Sequence, residues 1–220
     1  MVNVTQTDYH VIINELKNLY KIQENIAIIN DSKIKKMDEF KIGEKTSKFT
    51  LQNYIDVYRD LFLQKKYHLI LYDDSIIDFY YEFDDHGKII RHSLSFIPGI
   101  DHETQEYGKL TSEEYLMVHG IAKYYTRIDY DLTGKKPILH TDVHLHIGLH
   151  DRNEDDVIKE LRIPLESILY PYEFLYIIFK YYYHVEDSDL VCLSGSNYTK
   201  SYLLEEFEMD KLVLAFNRIK

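Results

Sequence analysis

The chain has 220 residues, 45% hydrophobic and 29% charged, the balance of a globular protein with a sizeable core rather than of a disordered one. Its net charge of −11 opposes general coating of a nucleic acid. The single cysteine, Cys192, excludes an intramolecular disulfide, and no apolar run reaches the roughly 18 residues of a membrane helix, so the expectation is a soluble cytoplasmic protein without a signal peptide.

Along the chain, Val11, Ile12, Leu16, Leu19 and Tyr20 recur at helical spacing, with Thr7 or Asp8 as N-cap. The stretch from Lys33 to Lys48 carries six lysines broken by Asp38, Glu39 and Glu44 and reads as a solvated connection. Phe49 to Phe62 is a second amphipathic helix, and the two helices are expected to form a hairpin packed on the rest. From Tyr67 the texture turns to strand: Tyr67–Tyr72, Ile76–Phe83 and Lys88–Ile97, the last two joined at the Asp84-Asp85-His86-Gly87 turn. Thr111–His119 reads as a short helix. Strands are expected over Ile121–Leu132, Pro137–Leu149 and Val157–Leu165, with a turn at Thr133–Lys136. Pro171 opens a helix to about Tyr183 that is apolar around most of its circumference and therefore buried. A short helix and a strand at Leu212–Phe216 complete the tail. The expected fold is α+β, one domain of 1–220: a helical N-terminal part (1–66), an α+β core (67–185) in which helices pack on an antiparallel sheet, and a tail (186–220).

The chemistry concentrates on one strand face. Alternate residues of a strand share a side, and His140, Asp142, His144, His146 and His150 have the same parity, whereas Thr141, Val143, Leu145, Ile147 and Leu149 have the other. A tight turn at Thr133–Lys136 would set Asp129 opposite His140, Arg127 opposite Asp142, Tyr125 opposite His144 and Lys123 opposite His146. Arg127 and Asp142 would then form a cross-strand ion pair. On the third strand Glu160 and Arg162 have the matching parity, with Arg162 near His144.

Three readings compete for this face. In the first, His-x-His holds a divalent metal such as zinc, the ligands being drawn from His140, His144, His146 and Asp142, with His150 or Glu160 as further donors. In the second, the face performs metal-free acid–base chemistry on a phosphodiester: His144, His146, Arg127, Asp129 and Tyr125 are catalytic, and Arg162 and Lys123 bind the substrate. In the third, it is a polar face without chemistry. Thr133-Gly134-Lys135-Lys136 lacks the upstream glycine of a phosphate-binding loop, and Leu193-Ser194-Gly195-Ser196-Asn197 lacks the glycine spacing of a nucleophile elbow.

Tyr125-Thr126-Arg127-Ile128-Asp129-Tyr130-Asp131, His140, His144-Leu145-His146-Ile147-Gly148, Arg162-Ile163-Pro164 and Pro171-Tyr172-Glu173-Phe174 together resemble an uncharacterised bacterial domain-of-unknown-function family, in order and spacing over about residues 70–185. The arginine–aspartate strand followed by His-x-His is more distantly similar to small toxins of bacterial toxin–antitoxin pairs. That similarity implies RNA or another phosphodiester as substrate in a defence setting. The alternative expectation is a non-enzymatic acidic partner or regulatory subunit of a bacterial defence complex, contacting a protein partner.

Overall fold

The computed structural model describes residues 7–22, 33–34, 49–100, 118, 120–131, 142–149 and 162–193. Its frame is one seven-stranded antiparallel sheet whose strands lie in sequence order: β1 (Lys33–Ile34), β2 (Leu69–Ile70), β3 (Ile76–Phe83), β4 (Ile89–Ile97), β5 (Thr126–Asp131), β6 (Val143–Ile147) and β7 (Arg162–Pro164). Among the described residues, the α-helices α1 (Asp8–Ile22), α2 (Tyr54–Leu63) and α3 (Pro171–Tyr181) flank it. The fold is α+β, as the strand and helix patterns of the sequence require.

Each sheet face has its own sequence logic. On one, Phe79, Leu94, Ile128, Leu145 and Ile163 form an apolar row across β3 to β7. Val11, Ile12, Leu16 and Leu19 of α1 and Phe174, Leu175, Ile178 and Phe179 of α3 pack in the same cluster. α3 is apolar enough to be buried by both sheet and α1, and Phe174 meets Phe79 edge-on at 6.1 Å. Its N-terminus is satisfied locally and at long range. The Tyr170 amide donates to Glu173 at 3.1 Å, and the Tyr172 amide donates to the buried Glu15 of α1 at 3.1 Å; Pro171 between them has no N–H, so these two bonds satisfy two of the donors that a helix start leaves unpaired.

The opposite face begins with an apolar row, Ile70, Ile76 and Ile97. This row lies in a second cluster with Tyr54, Val57, Tyr58 and Leu61 of α2. The expected helical hairpin is thus corrected: α1 and α2 serve opposite faces, because the apolar stripe of each finds a different apolar row. Buried tyrosines satisfy their hydroxyls on carbonyls, Tyr54 on Pro98 at 2.8 Å, Tyr58 on Asp74 at 2.6 Å and Tyr81 on Leu169 at 3.1 Å, as the cost of a buried unpaired hydroxyl demands. Gly99 sits where a Cβ would come within 2.2 Å of the Asp73 carbonyl oxygen, so a side chain there would break the turn that α2 packs on.

Several boundaries differ from the expectation. The strand expected from Ile121 begins at Thr126: residues 120–122 are helical, and the Tyr124 and Tyr125 amides donate to the Ile121 and Ala122 carbonyls. The strand expected over Tyr67–Tyr72 is regular only at Leu69–Ile70, and α3 ends at Tyr181. The short helix at 111–119 (apart from 118), the turn at 133–136, the 157–161 part of the strand expected over Val157–Leu165, the lysine run beyond 33–34 and the tail from 194 lie outside the described residues.

Candidate functional site

Beyond the apolar row under α2, the second face turns polar in three successive rows. The first is Asp78, Ser95, Arg127, His146 and Arg162, across β3 to β7. The second is Tyr80, Ser93, Asp129, His144 and Pro164. The third is Glu82, Arg91 and Asp131. A sheet face this polar cannot be a core, and the parity that makes it polar is the same parity that makes the other face apolar.

The β5–β6 register corrects the pairing expected from the sequence. Arg127 lies opposite His146 and Asp129 opposite His144, a displacement of four residues from the tight-turn register. An even displacement keeps every side chain on its face and changes only its partners. The Arg127–Asp142 pair therefore does not form. Instead Arg127 Nε lies 2.8 Å from Asp129 Oδ2, two residues along its own strand. Asp142 is buried at the start of β6, where its carbonyl accepts from the Asp131 amide at 3.0 Å. Arg162 lies opposite His146 rather than beside His144, and is exposed. Lys123 is exposed in the turn before β5 and does not face His146. His140, His150 and Glu160 lie outside the described residues.

Five of the residues singled out from sequence do meet. Asp129 is the hub: Ser93 Oγ donates to its Oδ1 at 2.7 Å, and Arg127 Nε and His146 Nε2 approach its Oδ2 at 2.8 and 3.3 Å. His146 Nε2 also lies 3.5 Å from Arg127 Nη2. A neutral imidazole uses that nitrogen either to donate to the carboxylate or to accept from the guanidinium, and in both tautomers the same three groups hold one another. The His144 and His146 rings stand edge to face with centroids 4.6 Å apart. Asp129, His144 and His146 each offer a ligand atom, and these atoms lie within 4.8 Å of one another. Tyr125, two residues before Arg127, is buried in the apolar cluster under α2 and stacked on Phe49 at 5.2 Å. Gly148 closes β6 with φ of 74°, a left-handed conformation that favours glycine, and its amide returns to the Tyr125 carbonyl at 2.7 Å.

The electrostatics follow from this company. Burial alone would raise the Asp129 carboxyl, but the hydrogen bond from His146 and the charge of Arg127 outweigh it and hold the group well below the usual carboxylate range. Burial raises the Tyr125 hydroxyl, opposed by Arg127. Both imidazoles are almost fully covered, His144 at 2% and His146 at 1% exposure, whereas Arg127 and Asp129 keep 24% and 22%. The site is therefore open to solvent on its charged side and dry behind it.

Sequence parity overlooked Ser93, which orients the hub carboxylate, and His92, on the other face. His92 could have been found: Ile90, His92, Leu94 and Phe96 share parity, which places an imidazole in an otherwise apolar row. The family described as "Uncharacterized conserved protein (DUF2290)" matches residues 19–216. No curated protein matches, and no solved structure does.

Proposed function

The chain belongs to the DUF2290 family, and we propose that it is a nuclease-like or phosphodiesterase-like protein acting at the Arg127–Asp129–His144–His146 site. The observation that carries this reading is the convergence of two buried imidazoles, a deprotonated carboxylate and a guanidinium on one strand pair. A phosphodiester asks for those parts. Arg127, with exposed Arg162 two strands away, supplies positive charge to the phosphoryl oxygens. The imidazoles and Asp129 activate the attacking oxygen. Tyr125, buried beside this face, brings a further hydroxyl near Arg127. The similarity to small bacterial toxins favours RNA as the substrate and a defence setting in the cytoplasm, where an unpaired Cys192 is at home.

The measurement is cleavage of single-stranded RNA and of simple phosphodiesters by the purified chain. His144→Ala, His146→Ala and Arg127→Ala should each lower the rate by about 100-fold or more while far-UV circular dichroism stays unchanged. Full activity in all three variants, or none in the parent chain, would refute the reading.

A second reading is a non-enzymatic acidic partner or regulatory subunit. It is favoured by the −11 charge and by a tyrosine ladder on the other side of the molecule. Tyr72, Tyr183, Phe96, Tyr182 and Tyr124 follow one another with centroid spacings of 5.1 to 6.5 Å, and the two end rings are more than half exposed. Tyrosine is a common anchor of protein interfaces. Loss of partner binding on Tyr72→Ala and Tyr124→Ala, with RNA cleavage absent throughout, would select this reading.

A further inference from the structure

We propose that Asp129, His144 and His146 bind one divalent first-row transition ion of the zinc class; the use of that ion to activate the attacking oxygen rests on the phosphodiester reading, whereas its binding does not. Two donors held by one ion at about 2.1 Å can be no more than about 4.2 Å apart, and in a tetrahedron they stand about 3.4 Å apart. His146 Nε2 and Asp129 Oδ2 are already 3.3 Å apart. The full set lies within 4.8 Å, so closing onto an ion needs only a small turn of side chains. The rigid part of the site is made by backbone pairing: two imidazoles alternate on β6, and the carboxylate faces His144 across the ladder.

The donor chemistry selects the ion. Two imidazole nitrogens and one carboxylate oxygen suit zinc, cobalt, iron or manganese, and two nitrogen donors disfavour calcium and magnesium. The carboxylate is oriented by Ser93 Oγ on the oxygen that does not face His146, the kind of supporting hydrogen bond that fixes a metal ligand. Three ligands among the described residues leave a coordination position for water or a phosphoryl oxygen. The ion would enter from the side of Asp129, which keeps 22% exposure.

Arg127 gives the proposal its sharpest consequence. Its guanidinium spans two of the three ligand residues, with Nε at Asp129 and Nη2 at His146. It is thus an internal cation competing for the groups the ion would take. Removing it should tighten metal binding, because a positive charge 2.8 Å from a ligand oxygen is lost. If Arg127 only held the carboxylate in place, its removal would weaken binding.

The test titrates the full chain, treated with chelator and dialysed, with Co²⁺ and with Zn²⁺. Calorimetry gives stoichiometry and affinity, and the visible absorption of Co²⁺ gives ligand symmetry. Expected are one equivalent, displacement of Co²⁺ by Zn²⁺, and no competition from excess Mg²⁺ or Ca²⁺. Affinity should fall by about 100-fold or more in His144→Ala and Asp129→Ala and by about 10-fold in Ser93→Ala, and it should rise in Arg127→Ala. Should the alanine variants unfold, His144→Gln and Asp129→Asn replace them, and thermal unfolding with and without Zn²⁺ gives a second readout. Binding that these changes leave unaltered, or no binding at stoichiometric Co²⁺, would overturn the proposal. RNA cleavage that persists in chelator overturns the ion's role and leaves the phosphodiesterase reading standing. Site-specific ion binding without cleavage of any phosphodiester does the reverse.

Discussion

The two faces of the β3–β6 sheet treat a buried histidine in opposite ways. On the helix-packed face His92, 1% exposed, lies between Tyr81 and Tyr130 with ring centroids 5.7 and 5.6 Å away. Neither of its nitrogens has a hydrogen-bond partner among the described residues, although the Ile128 backbone runs alongside. On the polar face His146, also 1% exposed, touches Asp129 and Arg127. Burial is the same and the company differs. A lone imidazole in an apolar layer is tolerated only when neutral, and burial pushes His92 down to about 4. Where a carboxylate and a guanidinium accompany the ring, charge can be kept inside the protein and put to use. One residue along β4 separates the two regimes, since Ser93 belongs to the polar face and donates to Asp129.

If the helix-packed face carries the stability and the polar face the chemistry, the largest loss should come from the former. Phe174, fully buried at 0% exposure, joins α3 to β3. Phe174→Ala should cost about 3–5 kcal/mol through lost burial and a residual cavity, measured by urea unfolding. A loss under about 1 kcal/mol would mean that α3 is not the seat of the core.

Acidification should then tell the two faces apart. The folded chain holds His92 near 4 against an ordinary 6.5, so between those values the unfolded chain binds more protons. Stability conferred by the neutral ring is complete above pH 6.5 and is lost as pH falls toward 4, by about 3 kcal/mol for a shift of that size. Asp129 is depressed, so its contribution is complete above about pH 4 and is lost below it. Both groups weaken the fold in acid, but in successive windows. His92→Leu should flatten the stability curve between pH 6.5 and 4 and leave the lower limb, and Asp129→Asn should do the opposite. Equilibrium unfolding at a series of pH values checks this, and identical curves for the two variants would erase the distinction between the faces.

How much of this was legible beforehand depends on what periodicity can carry. Period-two alternation placed Tyr125, Arg127, Asp129, His144 and His146 on one face, and that follows from strand geometry alone. Register does not. It depends on the turn between the strands: a tight turn at Thr133–Lys136 would pair Arg127 with Asp142, and the ladder pairs it with His146. The helical turn at 120–122 shows a related limit. Ile121 and Tyr125 suit a strand, yet tertiary packing of Ala122 and Tyr125 into the cluster under α2 decides the local conformation. Asp129 as hub was out of reach for the same reason as the register, because its ion pair with Arg127 runs along one strand rather than across two. The division of α1 and α2 between the faces was likewise hidden, since each helix pattern shows an apolar stripe without naming the surface it meets.

The smallest effect isolates what depth adds on the polar face itself. Two arginine–aspartate pairs lie there, Arg91–Asp131 at 2.5 Å and Arg127–Asp129 at 2.8 Å. By contact distance the first looks stronger. Its arginine is 37% exposed and also lies 4.0 Å from Glu82, whereas Arg127 is 24% exposed and adjoins a covered imidazole. Water screens the outer pair and competes for both partners, so its coupling in a double-mutant cycle with Arg91→Met and Asp131→Asn should be about 0.5 kcal/mol and should fade in 1 M salt. The inner pair, cycled with Arg127→Met and Asp129→Asn, should couple by roughly 1–3 kcal/mol and resist salt, since opposite charges shielded from water attract more strongly and are screened less. Equal couplings would show that the site is as wet as the surroundings of the outer pair. Its carboxylate would then be free to reorient, and neither oriented proton transfer nor a fixed ligand set could be sustained there.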